Sequence, residues 1–232
     1  FFFKKSLLKS DAILCISKGT RDKLKDLLNI NSHEISYPGI DPIFKRVSKD
    51  KVKKVLRQYG ISSNFILAVG TTEPRKNIIT LIQAFNKIQN DPELSKIELV
   101  LVGGEGWKNN EYKKVLAKSE GIKTLGYIKK DDLTALYSST SVFVFPSIYE
   151  GFGMPVAEAR ACSAKVIASD IPELREAGDS SVKYVRPDPE TLYESIKDCL
   201  SFDQELTQFT NKFSWDSSAK RMSETFHKIY LQ

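Results

Sequence analysis

The 232-residue sequence predicts an α/β fold in which a Rossmann-like parallel sheet carries helices on both faces. The main observation is alternation: short apolar runs rich in β-branched and aromatic residues are followed by longer amphipathic stretches, from residue 11 to the end of the chain. The hydrophobic fraction of 41% also lets a chain of this length bury a substantial core.

The first part of the chain predicts a strand, a helix and a second strand, and Ser17 is placed to cap the helix. In order, these elements are residues 11–17, 17–30 and 34–40. The segment PGIDPIF at residues 38–44 then interrupts the alternation. We therefore expect a boundary here, with residues 1–45 as the remnant of one domain plus linker, and residues 46–232 as a Rossmann-like domain with a closing helix.

The second part predicts six strands connected by helices. The strands are residues 65–70, 97–104, 122–128, 141–147, 165–170 and 182–185. The helices are a basic one within residues 45–57, then residues 77–89, 111–119 and 130–139, one beginning at Pro155, and residues 189–201 and 217–231. The strands are short and continuously apolar, which is typical of parallel strands that are covered on both faces.

Charge limits the classes of partner. The net charge is +6 and the isoelectric point is near 9.0, with basic residues concentrated at residues 45–57. This segment contains no aromatic residues to stack on bases, so we expect no nucleic-acid partner. Val52, Val55 and Leu56 instead predict an amphipathic helix with a solvated basic face. Peripheral contact with an anionic membrane stays open, since each basic residue near such a surface contributes about 1 kcal/mol.

The cysteines and the apolar runs bear on location. Cys15, Cys162 and Cys199 are odd in number and widely spaced, which favours neither a disulfide framework nor a metal cluster. A reducing, cytoplasmic setting follows, with the inner face of the membrane as the place for peripheral contact. No apolar run reaches the roughly 18 residues of a spanning helix, and FFFKK is too short for a signal segment. Because the sequence starts without methionine, we expect a fragment or a processed form of a longer protein.

Two glutamates flank a Gly-Phe-Gly turn within SIYEGFGMPVAEARA, residues 147–161. Gly151 and Gly153 would let the backbone approach a ligand, and N–H groups at the start of the following helix suit a phosphate or a sugar hydroxyl. Glu158 would accept two hydrogen bonds from a vicinal diol such as ribose, and Glu150 precedes the turn on the ligand side. Taken alone, the pair is explained equally well as a loop charge and a first-turn carboxylate.

The strand at residues 141–147 places this motif at a carboxyl end, where open α/β sheets bind ligands. A second motif, GTTEPRKN, follows the strand that ends at Gly70. Arg75 and Lys76 offer a planar fork and a point charge, the groups that a diphosphate requires. An isolated Arg-Lys pair is ordinarily a solvated helix start. Cations at a helix N-terminus oppose its dipole, however, so their presence here favours a bound anion.

Glycines also follow two other strands, at Gly103 and in LGYIKKDD at residues 125–132. Their backbones would be able to approach a ligand, although turns alone explain them too. No Asp-any-Asp pair occurs in the sequence, so we expect no metal ion to hold a diphosphate.

With these residues in place, the chain resembles the retaining glycosyltransferases of the GT-B fold, family four, which carry the glycosyl transferases group 1 domain. The resemblance runs through VGTTEPRKN, LVLVGG, EGFGMPVAEA and FSWDSSAKRM and covers about residues 60–225. The opening DAILCISKGTRDKL and SYPGID resemble the last strand and linker of the family's N-terminal domain. Most of that first domain is therefore expected to be absent.

The resemblance implies that Glu158 binds the ribose hydroxyls of a nucleotide sugar. It also implies that Glu150 contacts the donor sugar, together with the backbone amides of Phe152, Gly153 and Met154. Gly151 belongs to the same turn and counts among the donor-binding positions. Glu150 is thereby one of three residues expected to have a catalytic role.

Arg75 and Lys76 are the other two, since the resemblance implies that they hold the diphosphate and stabilise the departing nucleoside diphosphate. The backbone near Tyr127 and Ile128 would read the base. The remaining expected donor-binding positions are Gly70, Thr71 and Gly103. Many family members have an arginine where this chain has Thr71, which leaves the share of Arg75 and Lys76 in phosphate binding open.

The implied function is retaining transfer of a sugar from a GDP- or UDP-sugar to a glycan or lipid-linked acceptor, without metal or cofactor, in surface polysaccharide biosynthesis. The EPRKN and EGFGMP segments resemble mannosyltransferases, which favours GDP-mannose. The acceptor would be bound by the missing N-terminal domain, so the fragment alone is expected to bind donor and to transfer little.

Two alternatives stay open. One is a non-catalytic module that binds a nucleotide sugar, and a glycine-rich loop with an acceptor-site histidine upstream of Phe1 would favour the enzyme over it. The other is a sugar-nucleotide epimerase of the same architecture, which is expected to carry a different set of glutamate and histidine residues.

Overall fold

The computed structural model describes residues 2–92, 94–107, 109–201 and 209–231, so that Phe1 of the opening phenylalanine run lies outside it. The strands are β1 (Leu14–Cys15), β2 (Glu34–Ile35), β3 (Phe65–Val69), β4 (Glu98–Val102), β5 (Ile122–Thr124), β6 (Val142–Phe145), β7 (Val166–Ser169) and β8 (Val182–Val185). The helices are α1 (Phe2–Leu8), α2 (Lys18–Leu28), α3 (Lys49–Tyr59), α4 (Ile78–Gln89), α5 (Asn110–Leu116), α6 (Lys130–Ser139), α7 (Met154–Ala161), α8 (Pro172–Ala177), α9 (Pro189–Ser201) and α10 (Trp215–Tyr230).

Six strands form one parallel sheet in the order β5-β4-β3-β6-β7-β8. The chain builds outward from β3 to β5, returns to place β6 on the other side of β3, and builds outward again to β8. Ile66 of β3 pairs with Val142 of β6, and Leu67 pairs with Phe143. The carboxyl ends of β3 and β6 therefore meet at the topological switch point, which is the ligand-binding edge of open parallel sheets.

Both faces of this sheet are covered by helices, as the sequence predicts. Phe65 and Leu67 belong to an apolar cluster that also includes residues of α3, α6, α7 and α8. Ile66 and Ala68, which alternate with them along β3, belong to a second cluster with residues of α4, α5 and α9. The division arises because successive side chains of a strand point to opposite faces of the sheet.

The boundaries of α6, β8 and α9 agree with the sequence prediction. Most strands are shorter than predicted because flanking residues, many of them glycine or polar, lie outside the ladder. The predicted strand 122–128 ends at Thr124, and Gly126 turns the chain with a φ of 64°. The sequence did not predict α1, α8 or a 3₁₀ turn at Pro74–Lys76. The six residues of α8 are too few to show a helical period.

The basic segment forms α3, and its amphipathic character is confirmed. Val55 is buried, while Val52 and Leu56 are partly buried against the core. Contact of the basic face with a membrane stays a prediction. Within the described ranges, none of the helices combines the length and apolar composition that a bilayer crossing needs.

The first part of the chain and the last helix lie together. β1 and β2 pair with each other. Ser36 Oγ lies 2.8 Å from Ser218 Oγ of α10, and the Ile40 N–H donates to the Phe213 carbonyl at 3.3 Å. The closing helix, which the sequence analysis grouped with the second domain, thus packs on the first segment. The boundary at residue 46 stays a prediction.

Candidate functional site

A buried cluster of one carboxylate and two cations lies where β3 and β6 end. Lys76 Nζ donates to Glu150 Oε1 at 2.7 Å, and Arg75 Nη1 donates to Glu150 Oε2 at 3.1 Å. Glu150 and Lys76 are 7% and 8% exposed, whereas the Arg75 side chain is 37% exposed. Two sequence motifs that are far apart in the chain therefore meet in one ion-paired group.

The turn after β3 aims the two cations. The Lys76 side chain crosses Gly70, where an added Cβ would lie 3.4 Å from its Cδ and Cε atoms, and then passes over the Phe145 ring. Asn77, in the left-handed region with a φ of 55°, separates the 3₁₀ turn from α4. Arg75 and Lys76 thus lie in a turn of their own before the helix. The dipole argument for a bound anion therefore loses its basis, because the two cations precede the helix in a separate turn and Glu150 supplies an anion within the chain.

Glu73, which was not among the residues predicted from the sequence, is a second carboxylate beside Arg75. Arg75 Nη2 donates to Glu73 Oε1 at 2.8 Å, Thr71 Oγ1 donates to the same oxygen at 2.7 Å, and Trp107 Nε1 donates to Oε2 at 2.9 Å. The hydrogen bond from Thr71, with those from Trp107 and Arg75, lowers the pKa of Glu73. Its place two residues before an arginine in a strand-end loop is the signal that points to it.

The glycines of the Gly-Phe-Gly turn are explained by backbone conformation and packing. Gly153 has a φ of 106°, and a Cβ there would lie 2.4 Å from Leu174 Cδ2. A Cβ on Gly151 would lie 2.8 Å from Ile16 Cδ1. The sequence expectation was close approach of a ligand. The structure shows that backbone conformation and packing already require glycine at Gly153, whereas at Gly151 the close atom is the terminal methyl of the exposed Ile16, which can move.

The turn leads into α7, which begins at Met154 with Gly153 as its N-cap and no side-chain cap. The N–H groups of Val156 and Ala157 turn back onto the Gly153 carbonyl. Among the residues that the structure describes, the N–H groups of Phe152 and Gly153 have no backbone acceptor. Together with the Met154 N–H at the start of α7, they form a set of donors at the sheet edge, since Pro155 has no N–H.

Glu158 lies on α7 and is partly buried. Tyr137 OH of α6 donates to Glu158 Oε2 at 3.4 Å, a long hydrogen bond. Burial raises the pKa of Glu158 to about 7, against the opposing effects of Tyr137 and Lys130. Burial and the nearby Glu158 together raise the pKa of Tyr137 well above its usual range. A carboxyl group with this pKa changes between hydrogen-bond donor and acceptor near neutral pH.

The loops after β3, β4 and β5 form one continuous rim. Gly103 has a φ of 139°, and a Cβ there would lie 2.1 Å from the Gly70 carbonyl oxygen. The Gly103 N–H donates to the Gly126 carbonyl at 2.8 Å, which joins the loops after β4 and β5. Tyr127 is 85% exposed on this rim, whereas Ile128 is buried.

The site thus combines cations, backbone donors and an acceptor carboxylate at the switch point of a parallel sheet. This set suits a ligand that carries both phosphate and hydroxyl groups. Within the described part of the chain, no group of three or more His, Cys, Asp or Glu side chains is placed to hold a metal ion.

Comparison with known proteins adds the family. The model of the family described as glycosyl transferases group 1 matches residues 51–213, well over half of the chain. The chain belongs to the glycosyl transferases group 1 family. The matched range contains every candidate residue from Gly70 to Glu158.

Relatives of this group 1 chain include two proteins named as O-antigen chain mannosyltransferases. Mannosyltransferase B of Escherichia coli is 30% identical over 227 residues, covering 91% of this chain and 59% of the relative. RfbU of Salmonella typhimurium is 30% identical over 216 residues, covering 91% of this chain and 57% of the relative. The chain spans less than two thirds of the length of either.

Solved structures confirm the fold of the group 1 chain. Sucrose-phosphate synthase from Thermosynechococcus elongatus superposes with a TM-score of 0.81 at 23% identity, covering 99% of this chain and 61% of the other. Anabaena HepE, solved in complex with UDP, gives 0.77 at 19% identity, covering 94% and 64%. The predicted α/β fold, as half of a GT-B glycosyltransferase, is confirmed by these likenesses.

Proposed function

We propose that this chain is the donor-binding part of a retaining family-four glycosyltransferase of polysaccharide biosynthesis. The observation that carries the proposal is the contact of Arg75, Lys76 and Glu150 at the switch point of the sheet. The names of the O-antigen mannosyltransferases and the UDP complex of HepE support a nucleoside diphosphate sugar as the donor.

Arg75 and Lys76 bind the diphosphate in this proposal. The exposed part of Arg75 offers a fork to an arriving phosphate, while Lys76 adds a charge in a buried, low-dielectric setting. As the bond to the sugar breaks, negative charge grows on the departing nucleoside diphosphate, and both cations stabilise it. The N–H groups of Phe152 and Gly153 add donors for the sugar, while Arg75 and Lys76 supply the positive charge for the phosphates, so that no metal ion is needed.

Glu150 then has two tasks. In the free chain it holds Arg75 and Lys76 together, since two adjacent cations would otherwise repel each other. With donor bound, one of its carboxylate oxygens accepts a hydrogen bond from the sugar, because phosphate oxygens take over part of the interaction with the cations.

Glu158 binds the ribose in this proposal. Its ionised carboxylate accepts two hydrogen bonds from the vicinal hydroxyls, and its partly buried position between α6 and α7 strengthens them. Exposed Tyr127 marks the rim where the base lies. The names of the relatives favour mannose, and hence GDP-mannose, as the donor.

The proposal places the acceptor, a glycan or a lipid-linked glycan, on a further domain of the whole protein. The reaction then takes place on the cytoplasmic side, where the basic face of α3 offers peripheral contact with an anionic membrane.

Calorimetric titration of the chain with GDP-mannose, UDP-glucose and ADP-glucose tests the proposal. We expect one of them, GDP-mannose first, to bind with a Kd below about 1 mM. Lys76→Met should weaken binding at least tenfold, a loss of roughly 1.4 kcal/mol. Lys87→Met, which removes an exposed lysine paired with Glu190, is the matched control and should bind as the parent does. Binding of none of the three, or equal affinities of both variants, would contradict the proposal.

A further inference from the structure

The carbonyl oxygen of Gly151 accepts two hydrogen bonds from a distant part of the chain. Ser17 Oγ donates to it at 2.6 Å, and Thr20 Oγ1 donates at 2.8 Å. Both hydroxyls belong to the start of α2, which lies outside the range of the family match. The glycine turn of the candidate donor site is therefore tied to the first segment of the chain.

The start of α2 is itself held firmly. Ser17 caps the helix by accepting the Thr20 N–H at 2.9 Å. The Glu176 carboxylate of α8 accepts the N–H groups of Lys18 and Gly19 at 2.9 and 2.8 Å. The first N–H groups of a helix need such partners, so these contacts fix where the two hydroxyls point.

Each hydroxyl has one proton to donate, and a carbonyl oxygen has two lone pairs. Ser17 Oγ also lies 3.0 Å from Thr20 Oγ1, but its single proton goes to the nearer Gly151 oxygen at 2.6 Å. Donation from both Ser17 and Thr20 thus fills the hydrogen-bonding capacity of the Gly151 oxygen. Because the peptide group is planar and trans, its N–H points opposite to its C=O. Fixing the oxygen toward α2 therefore aims the Phe152 N–H away from α2.

The Phe152 ring holds the same peptide from its other end. It is buried, and its centroid lies 5.9 Å from that of Tyr37 and 4.9 Å from that of Phe213. The two hydroxyl groups and the two aromatic rings together prevent rotation of the Gly151–Phe152 peptide. The Phe152 N–H, which has no backbone acceptor within the described residues, is one of the donors assigned above to the donor substrate.

We propose that Ser17 and Thr20 are positioning residues: they orient the Gly151–Phe152 peptide so that its N–H binds the sugar of the nucleotide sugar. The inference rests on the proposed function. The first segment of the chain then completes the donor site by holding the turn in place, and its own groups do not bind the donor. A hydroxyl that serves only to stabilise α2 would have no such effect.

The test compares two double variants. Ser17→Ala/Thr20→Val removes both donors, and valine keeps the shape of threonine. Ser48→Ala/Thr191→Val is the control, since Ser48 caps α3 and Thr191 donates to Asp188 in the first turn of α9. Both variants lose an N-cap and a first-turn hydroxyl, and because Ser17 is buried whereas Ser48 is exposed, the affinities are compared at a temperature at which both variants are folded.

The readout is the ratio of the affinities for the nucleotide sugar and for the nucleoside diphosphate alone, measured by calorimetry. In Ser17→Ala/Thr20→Val the ratio should fall by about fivefold or more, the factor that corresponds to one lost hydrogen bond. The control should keep the parent ratio. Thr20→Ser as a single change retains the hydroxyl and should keep most of the parent ratio. If the double variant does not fold, Thr20→Val alone serves, because it spares the cap.

The outcomes separate the two claims. An unchanged ratio in the variant, with normal nucleotide binding by the parent, would overturn the positioning role and leave the donor site intact. An equal fall in variant and control would also overturn it, because loss of stability would then be the cause. If the parent bound no nucleoside diphosphate at all, the proposed function and this inference would both be wrong.

Discussion

Replacing Glu150 by glutamine removes one negative charge from between two cations while keeping the shape of the side chain. The Lys76–Glu150 pair has side-chain exposures of 10% and 9%, so it is a buried ion pair. Breaking such a pair typically costs about 3–5 kcal/mol. Glutamine still offers one oxygen to Lys76 Nζ, and the half-exposed Arg75 contributes little, so we expect a loss of about 2–3 kcal/mol.

For a domain of this size, that loss lowers the melting temperature by roughly 5–10 °C. Differential scanning calorimetry measures it, with Glu190→Gln as the control. Glu190 pairs with Lys87 on the surface, where side-chain exposures are 63% and 46%, and its replacement should cost less than about 1 kcal/mol. Equal shifts for the two variants would refute the reasoning that burial makes the Glu150 pairs important.

The same variant separates the two tasks of Glu150. Removal of its charge leaves Lys76 and Arg75 less neutralised, so a nucleoside diphosphate should bind Glu150→Gln at least as tightly as it binds the parent. The extra affinity gained from the attached sugar should disappear, because the acceptor for the sugar hydroxyl is altered. A tenfold or larger loss of nucleoside diphosphate affinity would show that Glu150 acts on the phosphates instead.

Two further predictions follow from Glu158 and Gly153. Because burial raises the pKa of Glu158 from 4.5 to about 7, nucleotide affinity should fall as the pH drops from 7.5 to 5.5, by up to about tenfold per unit. Calorimetry should show this in the parent and a flat profile in Glu158→Gln; the same profile in both would contradict the role. Folding stability should change in the opposite sense, falling as pH rises from 4.5 to 7, since the folded state binds the additional proton there. Gly153→Ala should lower the free energy of unfolding by roughly 2–3 kcal/mol, as measured by denaturant unfolding. Gly104→Ala, which has no atom within 4 Å of the added Cβ, should lower it by less than about 1 kcal/mol, and similar losses in the two variants would contradict this prediction.

The meeting of Arg75, Lys76 and Glu150 was predictable from the sequence. Each follows a continuously apolar run, and parallel strands bring their carboxyl ends to one edge. The strand order, with β6 beside β3, comes from the structure and was not predicted. The sequence could not show that the cations would be paired within the chain, since pairing depends on side-chain geometry.

Contacts between residues far apart in the sequence could not be predicted from hydrophobic periodicity. Ser17 was predictable as a helix cap, because that role depends on neighbouring residues alone. Its bond to the Gly151 carbonyl joins residues 134 positions apart and leaves no pattern in either segment. The requirement for glycine at Gly153 likewise depends on Leu174 of α8, a helix too short to be predicted from the sequence.

Amide hydrogen exchange of the chain, with and without saturating GDP-mannose or GDP, locates the proposed nucleotide-sugar site at the edge formed by the loops after β3, β5 and β6. We expect slower exchange at residues 70–77, 125–130 and 150–158 when the nucleotide is bound. Protection confined to another surface, such as the groove between α4 and α9 near Tyr193, would contradict this prediction.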